Sequence, residues 1–201
     1  MLLFSATFGF GQAYSNIAID VRGFPGVTVG AQIQRAHDSS RCPASGCVID
    51  VRGVGATGII NGLSVTKPIK LLLGATTFTV NGTMRFTNIT GGDIEGAGQG
   101  VTAFMWAGNN SSAMFRLVSV ARSTFRGFTV NASKAIPLIA FFTSERGASG
   151  NPTGNAFYDI FGTGTNGGVT DAFRWVVGPG GDRGNDIFRF ESPVRRGLNH
   201  L

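Results

Sequence analysis

The sequence repeats one short pattern, an apolar residue, any residue and then glycine, along most of its length. The pattern occurs at residues 51–53, 60–62, 80–82, 94–96, 125–127 and 160–162. A longer match aligns MRFTNITGGDIEG, residues 84–96, with FRLVSVARSTFRG, residues 115–127, at an offset of 31 positions. In that alignment Met84 falls on Phe115, Ile94 falls on Phe125, and the closing glycines coincide. We interpret each three-residue pattern as the end of a strand, where the chain enters a turn.

The segments between these glycines are short and rich in β-branched and aromatic residues, which is typical of strands. They include CVIDV, IKLLL, TTFTV, MRFTNI, MFRLVSV, LIAFFT and FRWVV, and the pentapeptide IDVRG occurs twice, at 19–23 and 49–53. Residues 31–39 do not have this strand-like pattern. Ile33 and Ala36 are spaced to share one side of a helix, so the segment predicts a short helix. With 31 glycines and 14% charged residues, the composition also favours a turn-rich, all-β protein.

A repeating unit of a few strands and turns cannot bury its apolar side alone, so neighbouring units must stack. The sequence therefore predicts a parallel β-helix, in which equivalent apolar side chains share one interior column. An antiparallel sandwich is the alternative. It is disfavoured because the strands lack the tight Asn-Gly hairpins with flanking alternation expected there, with Asn61-Gly62 and Asn81-Gly82 as the exceptions.

The order of these features resembles the N-terminal part of the pectate-lyase-like superfamily. Over residues 27–129 the features are a helix (AQIQRAHDSS), a turn, the strand CVIDVRG, and then KPIKLLLGATTF and ITGGDIEGAGQG. The resemblance implies an all-β fold, a right-handed parallel β-helix (solenoid) with a short N-terminal capping helix. It also implies a carbohydrate-active protein, part of a polysaccharide lyase or glycoside hydrolase acting on acidic, pectin-like glycans, with Ca²⁺ as a cofactor in the case of a lyase.

The catalytic signatures of those relatives are not found in this sequence. It has neither the Asn-Thr-Asp, Asp-Asp, Gly-His-Gly and Arg-Ile-Lys elements of polygalacturonases nor the Trp-x-Asp-His element of pectate lyases. A fold is often shared without the activity. The alternative function is therefore a non-catalytic β-helix that binds glycans or serves as an adhesin or tailspike-like module, and the sequence makes no cofactor evident.

The N-terminal residues and the two cysteines predict where the protein resides. Residues 1–13 (MLLFSATFGFGQA) are apolar and end in small residues at the positions that a signal peptidase reads. We interpret them as a signal-peptide remnant and residues 14–201 as a single β-helix domain, truncated at its C-terminal end. Cys42 and Cys47 flank a turn with Pro43 and Gly46, which predicts a local disulfide. Together these features predict a secreted, extracellular or periplasmic protein with no membrane span.

The charged residues indicate the chemistry of the partner. Basic residues outnumber acidic ones by 17 to 11, and 14 of the basic residues are arginine. Because the guanidinium group binds carboxylates and phosphates in a bidentate manner, the composition favours a polysaccharide partner that is an acidic glycan. The arginines are spread singly, with Arg195 and Arg196 the only adjacent pair, which argues against nucleic acid. The sequence does not indicate an oligomeric state.

Asp93 and Glu95 alternate in GGDIEG, so on one strand their side chains point the same way while Ile94 points inward. A glycoside hydrolase requires two carboxylates at a defined separation, and these two are eligible. We favour a second interpretation, in which both lie on a solvated strand. In the 31-residue alignment Glu95 meets Arg126, which predicts an ion pair between neighbouring repeats.

A lyase requires an arginine or lysine base to remove a proton beside a uronate carboxylate. Four residues are eligible by type, and their spacing selects none of them: Arg116, Arg122, Arg126 and Lys134.

The glycine-rich loops of the C-terminal third supply further candidate catalytic residues, because loops often form binding sites. The candidates are Asp171, Asp182 and Asp186, with Arg183 beside them. Aspartates in such loops more often form turns, since they bond to their own backbone. For the two histidines, His37 and His200, we expect structural or surface roles.

Overall fold

A computed structural model describes residues 18–108, 113–132, 138–147, 154–163, 169–176 and 187–191. The described chain is mostly β, with one α-helix, α1 (Val29–Asp38), and a short 3₁₀ helix at Val21–Gly23. The strands are β1 (Ala18–Asp20), β2 (Cys47–Asp50), β3 (Thr57–Ile60), β4 (Leu63–Val65), β5 (Ile69–Leu72), β6 (Thr77–Val80), β7 (Met84–Thr87), β8 (Asp93–Glu95), β9 (Ala103–Trp106), β10 (Ala113–Val118), β11 (Thr124–Asn131), β12 (Leu138–Glu145), β13 (Ala156–Thr163), β14 (Val169–Val176) and β15 (Ile187–Glu191).

These strands lie in three columns, and within the described residues every strand pair is parallel. Column 1 contains β1, β2, β5, β8, the first parts of β11 and β13, and β15. Column 2 contains β3, β6, β9 and the second parts of β11 and β13. Column 3 contains β4, β7, β10, β12 and β14. Columns 1 and 2 form one sheet because β11 pairs with both β8 and β9, and column 3 forms the other sheet.

The chain passes through the three columns in order and then returns to column 1, and we call each pass a layer. Equivalent residues of column 1 are Val48, Lys70, Asp93, Thr124, Ala156 and Ile187. Successive members of this series are 22, 23, 31, 32 and 31 residues apart. The 31-residue alignment is therefore the true register of two layers, with Met84 opposite Phe115 and Ile94 opposite Phe125. The architecture is all-β, with parallel strands in curled sheets, as expected of a β-helix-like fold.

Alternating side chains of each column point into a shared apolar interior. The exposure of β2, β5 and β7 alternates along each strand, as period-two geometry requires. In the later layers the interior consists mainly of phenylalanine rings: Phe115 stacks on Phe142 with ring centroids 4.8 Å apart, and Phe125 stacks on Phe157 at 5.0 Å. Burying each such ring contributes about 2–3 kcal/mol. The interior is therefore continuous from one layer to the next.

Helix α1 lies at the end of columns 2 and 3, where it packs against β3 and β4. Ile33 and Ala36 are fully buried, as the sequence predicts. The helix begins at Val29, two residues before the predicted start, because the Thr28 hydroxyl accepts a hydrogen bond from the Ala31 amide (3.2 Å) and caps the first turn. It covers apolar side chains that the first layer leaves without a neighbour.

The disulfide is confirmed: Cys42 and Cys47 are bonded, with an S–S distance of 2.07 Å. It closes the turn between α1 and β2. The Lys67 ammonium group donates to the carbonyl oxygens of Cys42 and His37, both at 2.8 Å, and so ties this turn to the next layer.

The parallel arrangement that the sequence favours is confirmed for the described strands, and one detail of the sequence interpretation is wrong. The antiparallel alternative is excluded for the described strands, and Asn61 and Asn81 do not form hairpins: the Asn81 side-chain amide donates to the Asn61 side-chain oxygen (2.8 Å) across parallel strands. The patterns at 125–127 and 160–162 are not strand ends, since β11 and β13 continue through them. At Gly127 (φ +71°) strand β11 bends and exchanges one partner strand for another. Glycine permits this bend because it has no Cβ.

Candidate functional site

The outward side of column 1 carries most of the described acidic side chains, and three of them, Asp20, Asp50 and Glu95, lie in ion pairs. We call this surface the charge-balanced face. It consists of four acidic and four basic residues and one tyrosine: Asp20, Arg22, Asp50, Arg52, Lys70, Asp93, Glu95, Arg126 and Tyr158.

The two IDVRG segments place the same ion pair in two adjacent layers. In each, the aspartate accepts from the backbone amide and the guanidinium of the arginine two residues later: Arg22 Nε lies 3.0 Å from Asp20 Oδ1, and Arg52 Nε lies 3.0 Å from Asp50 Oδ1. The side-chain hydrogen bond from Arg22 lowers the pKa of Asp20 to about 2. The pKa of Asp50 is lowered in the same way by Arg52. Both carboxylates are held ionised, so the repeated pentapeptide is a paired surface motif.

Glu95 is shared by cations from the layers on either side. Its Oε2 lies 3.0 Å from Lys70 Nζ and 2.9 Å from Arg126 Nη2, which confirms the ion pair predicted from the repeat alignment. Arg126 also lies over the Tyr158 ring, 5.9 Å from its centroid. Partial burial raises the pKa of Glu95, but the hydrogen bonds from Arg126 and Lys70 outweigh that effect, so its pKa is below the usual value.

Asp93 and Glu95 point outward with Ile94 buried between them, as predicted. A general acid needs a pKa raised towards neutrality so that it carries a proton to give. Glu95 has the opposite shift. The structure therefore supports the interpretation of Asp93 and Glu95 as residues of a solvated strand.

Among the described side chains, the outward side of column 3 has an excess of positive charge. We call Arg85, Thr87, Arg116 and Glu145 the arginine face. Arg85 and Arg116 are directly opposite each other on β7 and β10, so their backbones are about 4.8 Å apart. Two arginines here face one glutamate, whereas the charge-balanced face has equal numbers of each sign.

The two guanidinium groups of the arginine face have different partners. Arg116 donates two hydrogen bonds to the carboxylate of Glu145 (2.8 and 2.7 Å), which raises the pKa of Arg116. Arg85 is exposed, and its Nε donates to the Thr87 hydroxyl (3.2 Å). Among the described side chains no carboxylate pairs with Arg85. Arg85 therefore presents a guanidinium that is able to bind an anion from solution.

The other predicted site residues fall in different places. Asp171 lies on β14, with its backbone opposite Ala140 of β12. Five other residues lie outside the described part of the chain, as does the proposed signal-peptide remnant at 1–13. They are Asp182, Asp186, Arg183, Lys134 and His200.

His37 has a structural role, as expected from the sequence. The ring is buried, and its Nε2 accepts from the backbone amides of Thr66 (3.1 Å) and Lys67 (3.3 Å). Because Nε2 accepts, the ring proton is on Nδ1, which lies 2.6 Å from Asp38 Oδ1. The side chain fastens α1 to the turn before β5.

Arg85 is a functional candidate that the sequence interpretation missed, although a signal for it exists. In the 31-residue alignment Arg85 falls on Arg116, so two arginines share one outward row. Aligned arginines in parallel layers are unfavourable to each other unless an anion lies between them or near them. That repetition identifies the arginine face from sequence.

Within the described part of the chain, no three histidine, cysteine or acidic side chains converge as a metal site would require. Calcium binding stays a prediction. None of the described helices combines the length and apolar character needed to cross a membrane. Comparison with protein-family models, curated proteins and solved structures finds no match in any of the three.

Proposed function

We propose that this chain is a right-handed parallel β-helix from a secreted, carbohydrate-active protein, and that it binds an acidic glycan through the arginine face. Connections between parallel strands of one sheet are right-handed in nearly all proteins, which supports the handedness. The disulfide is compatible with an oxidising compartment. The pectate-lyase-like resemblance supports a glycan as the ligand.

The observation that carries the proposal is the excess positive charge at Arg85 and Arg116. Arginine is well suited to carboxylates because its planar fork donates two parallel hydrogen bonds. Glu145 holds the Arg116 guanidinium in a fixed orientation, so less entropy is lost when a ligand binds. Arg85 supplies the group that no described carboxylate neutralises.

The direction of the row indicates how the glycan lies. Equivalent residues of successive layers follow the axis along which strands stack, and the two arginines are separated along that axis. An extended polyanion with regularly spaced carboxylates meets both when it runs parallel to the axis. A glycan lying along a single strand meets one of them.

Polygalacturonate binding by a double variant, Arg85→Gln with Arg116→Gln, tests this proposal. We expect the dissociation constant to rise about tenfold, since two exposed charge-assisted contacts together contribute about 1.4 kcal/mol. The matched control is Arg22→Gln with Arg52→Gln, which changes the net charge equally on the charge-balanced face and should change binding less than about twofold. Affinity is measured by isothermal calorimetry at two salt concentrations. Equal losses in both double variants would show that net charge alone drives binding.

Turnover of the glycan is a second candidate function, supported by the resemblance to polysaccharide lyases and glycoside hydrolases. A lyase forms an unsaturated product and a hydrolase forms a new reducing end, so incubation with a panel of acidic and neutral glycans separates the two. If the chain is an enzyme, we expect one of these products and its loss when Asp171, Asp182 and Asp186 are replaced by alanine. If no glycan of the panel yields a product, turnover is wrong as a function of this chain. If the alanine variant turns the glycan over as fast as the wild type, the assignment of the three aspartates is wrong.

A further inference from the structure

Arg122 has a backbone conformation that its neighbours in adjacent layers achieve with glycine. It lies at the turn between column 3 and column 1 with φ +52°, in the left-handed region. The equivalent residues are Gly91 (φ +79°), one layer before, and Gly154 (φ +66°), one layer after. The left-handed conformation is unfavourable for residues with a Cβ, and arginine gains nothing locally from it.

Buried hydrogen bonds fix this turn on both sides of Arg122. The Asn155 side chain accepts from the Ser123 amide (3.1 Å) and donates to the Val120 carbonyl (2.8 Å). The Ser123 hydroxyl accepts from the Gly92 amide (2.8 Å). An unfavourable backbone conformation persists where hydrogen bonds of the neighbouring residues hold it in place. The position of Arg122 is therefore imposed by the fold.

The Arg122 side chain is exposed, and the glycines leave the surface around it open. A Cβ placed on Gly154 would lie 3.9 Å from Arg122 Cγ, and Gly91 likewise contributes no side chain. Four other arginines are each paired with a carboxylate: Arg22, Arg52, Arg116 and Arg126. For Arg122 no carboxylate partner is found among the residues that the structure describes. Its exposed guanidinium is thus available to an anionic ligand.

We propose that Arg122 is a further carboxylate-binding residue for the acidic glycan, retained where glycine would be the relaxed choice. The inference rests on the proposed function, because the ligand is the same. A residue kept only for the fold would be glycine, as in the two adjacent layers. An arginine at this exposed turn instead supplies an unpaired cation at a backbone position that the surrounding hydrogen bonds fix.

Two substitutions at this position separate binding from strain. Arg122→Gly and Arg122→Ala both remove the guanidinium, and only glycine relieves the left-handed backbone. We expect both to raise the polygalacturonate dissociation constant about threefold. The melting temperature of Arg122→Gly should exceed that of Arg122→Ala by about 2–4 °C. Asn88→Gly is the matched control, because Asn88 is also exposed and left-handed (φ +57°), and its binding should equal that of the wild type.

The outcomes distinguish the two proposals. If Arg122→Gly and Arg122→Ala bind like the wild type while Arg85→Gln with Arg116→Gln loses affinity, the role of Arg122 is wrong and the proposed function stands. If the wild-type chain binds no acidic glycan, both are overturned. Equal melting temperatures for the glycine and alanine variants would contradict the strain on which the inference depends.

Discussion

Replacing Phe115 by alanine should lower the free energy of unfolding by about 5 kcal/mol. The ring is fully buried and contacts the rings of Phe104 (5.2 Å between centroids), Phe128 (5.9 Å) and Phe142 (4.8 Å). A buried Phe→Ala change costs about 3–5 kcal/mol through lost transfer free energy and the cavity left behind. Each aromatic pair adds about 0.5–1.5 kcal/mol beyond buried area. Urea denaturation followed by far-ultraviolet circular dichroism measures the loss.

Phe24→Ala is the control, because it makes the same chemical change at the margin of the core. Phe24 is only partly buried and lies under the Arg41 guanidinium, 5.8 Å from the ring centroid. We expect its loss to be about 1 kcal/mol. If both variants lose the same stability, the phenylalanines do not form one cooperative stack. The continuity of the core between layers would then be wrong.

The register of the later layers could be predicted from sequence because each equivalent pair contributes its own signal. Ile94 and Phe125 are both apolar and inward, and Glu95 and Arg126 are opposite in charge and outward. A shift of one residue would reverse both relations, since side chains alternate along a strand. The alternation of apolar side chains, the opposite charges and the closing glycines therefore all indicate the same 31-residue alignment.

The register of the earlier layers could not be predicted in this way. Equivalent residues there are 22 or 23 positions apart, because both the strands and the turns between columns are shorter than in the later layers. Turn length has little energetic cost and is free to vary from layer to layer. An alignment at 31 positions fails there, although Ile49 and Leu71 are in register.

The candidate site was predicted less well than the fold. Sequence composition indicated arginine as the binding residue, but backbone conformation selects Arg122, and a φ angle is not visible in a residue's identity. The signal was indirect: Gly91 falls on Arg122 in the repeat alignment, so a glycine position had been filled by arginine. Ion pairing is a second criterion for selecting a binding arginine, and it is visible only in the three-dimensional structure. It separates Arg85, with which no described carboxylate pairs, from Arg126, which is the same residue type in the same kind of strand.

Gly96→Ala should be strongly destabilising, although it adds a single methyl group. Gly96 lies at the corner where the chain leaves β8, against Gly127 of the next layer. A Cβ at this position would lie 2.1 Å from the Gly127 carbonyl oxygen and 2.9 Å from its carbon, and neither is able to move as a flexible side chain would. That oxygen also accepts from the Gly98 amide (2.8 Å). Moving it breaks a hydrogen bond and forces two layers apart, at a cost of about 3 kcal/mol.

The coincidence of Gly96 and Gly127 in the repeat alignment has its physical cause here, since the two backbones touch where side chains would not fit. Gly55→Ala is the matched control: a Cβ on Gly55 meets no atom within 4 Å. We expect that variant to stay within about 0.5 kcal/mol of the wild type. Both are compared by urea denaturation. If Gly96→Ala is as stable as Gly55→Ala, the layers are not in backbone contact at this corner, and the closing glycines mark turns without holding the stack together.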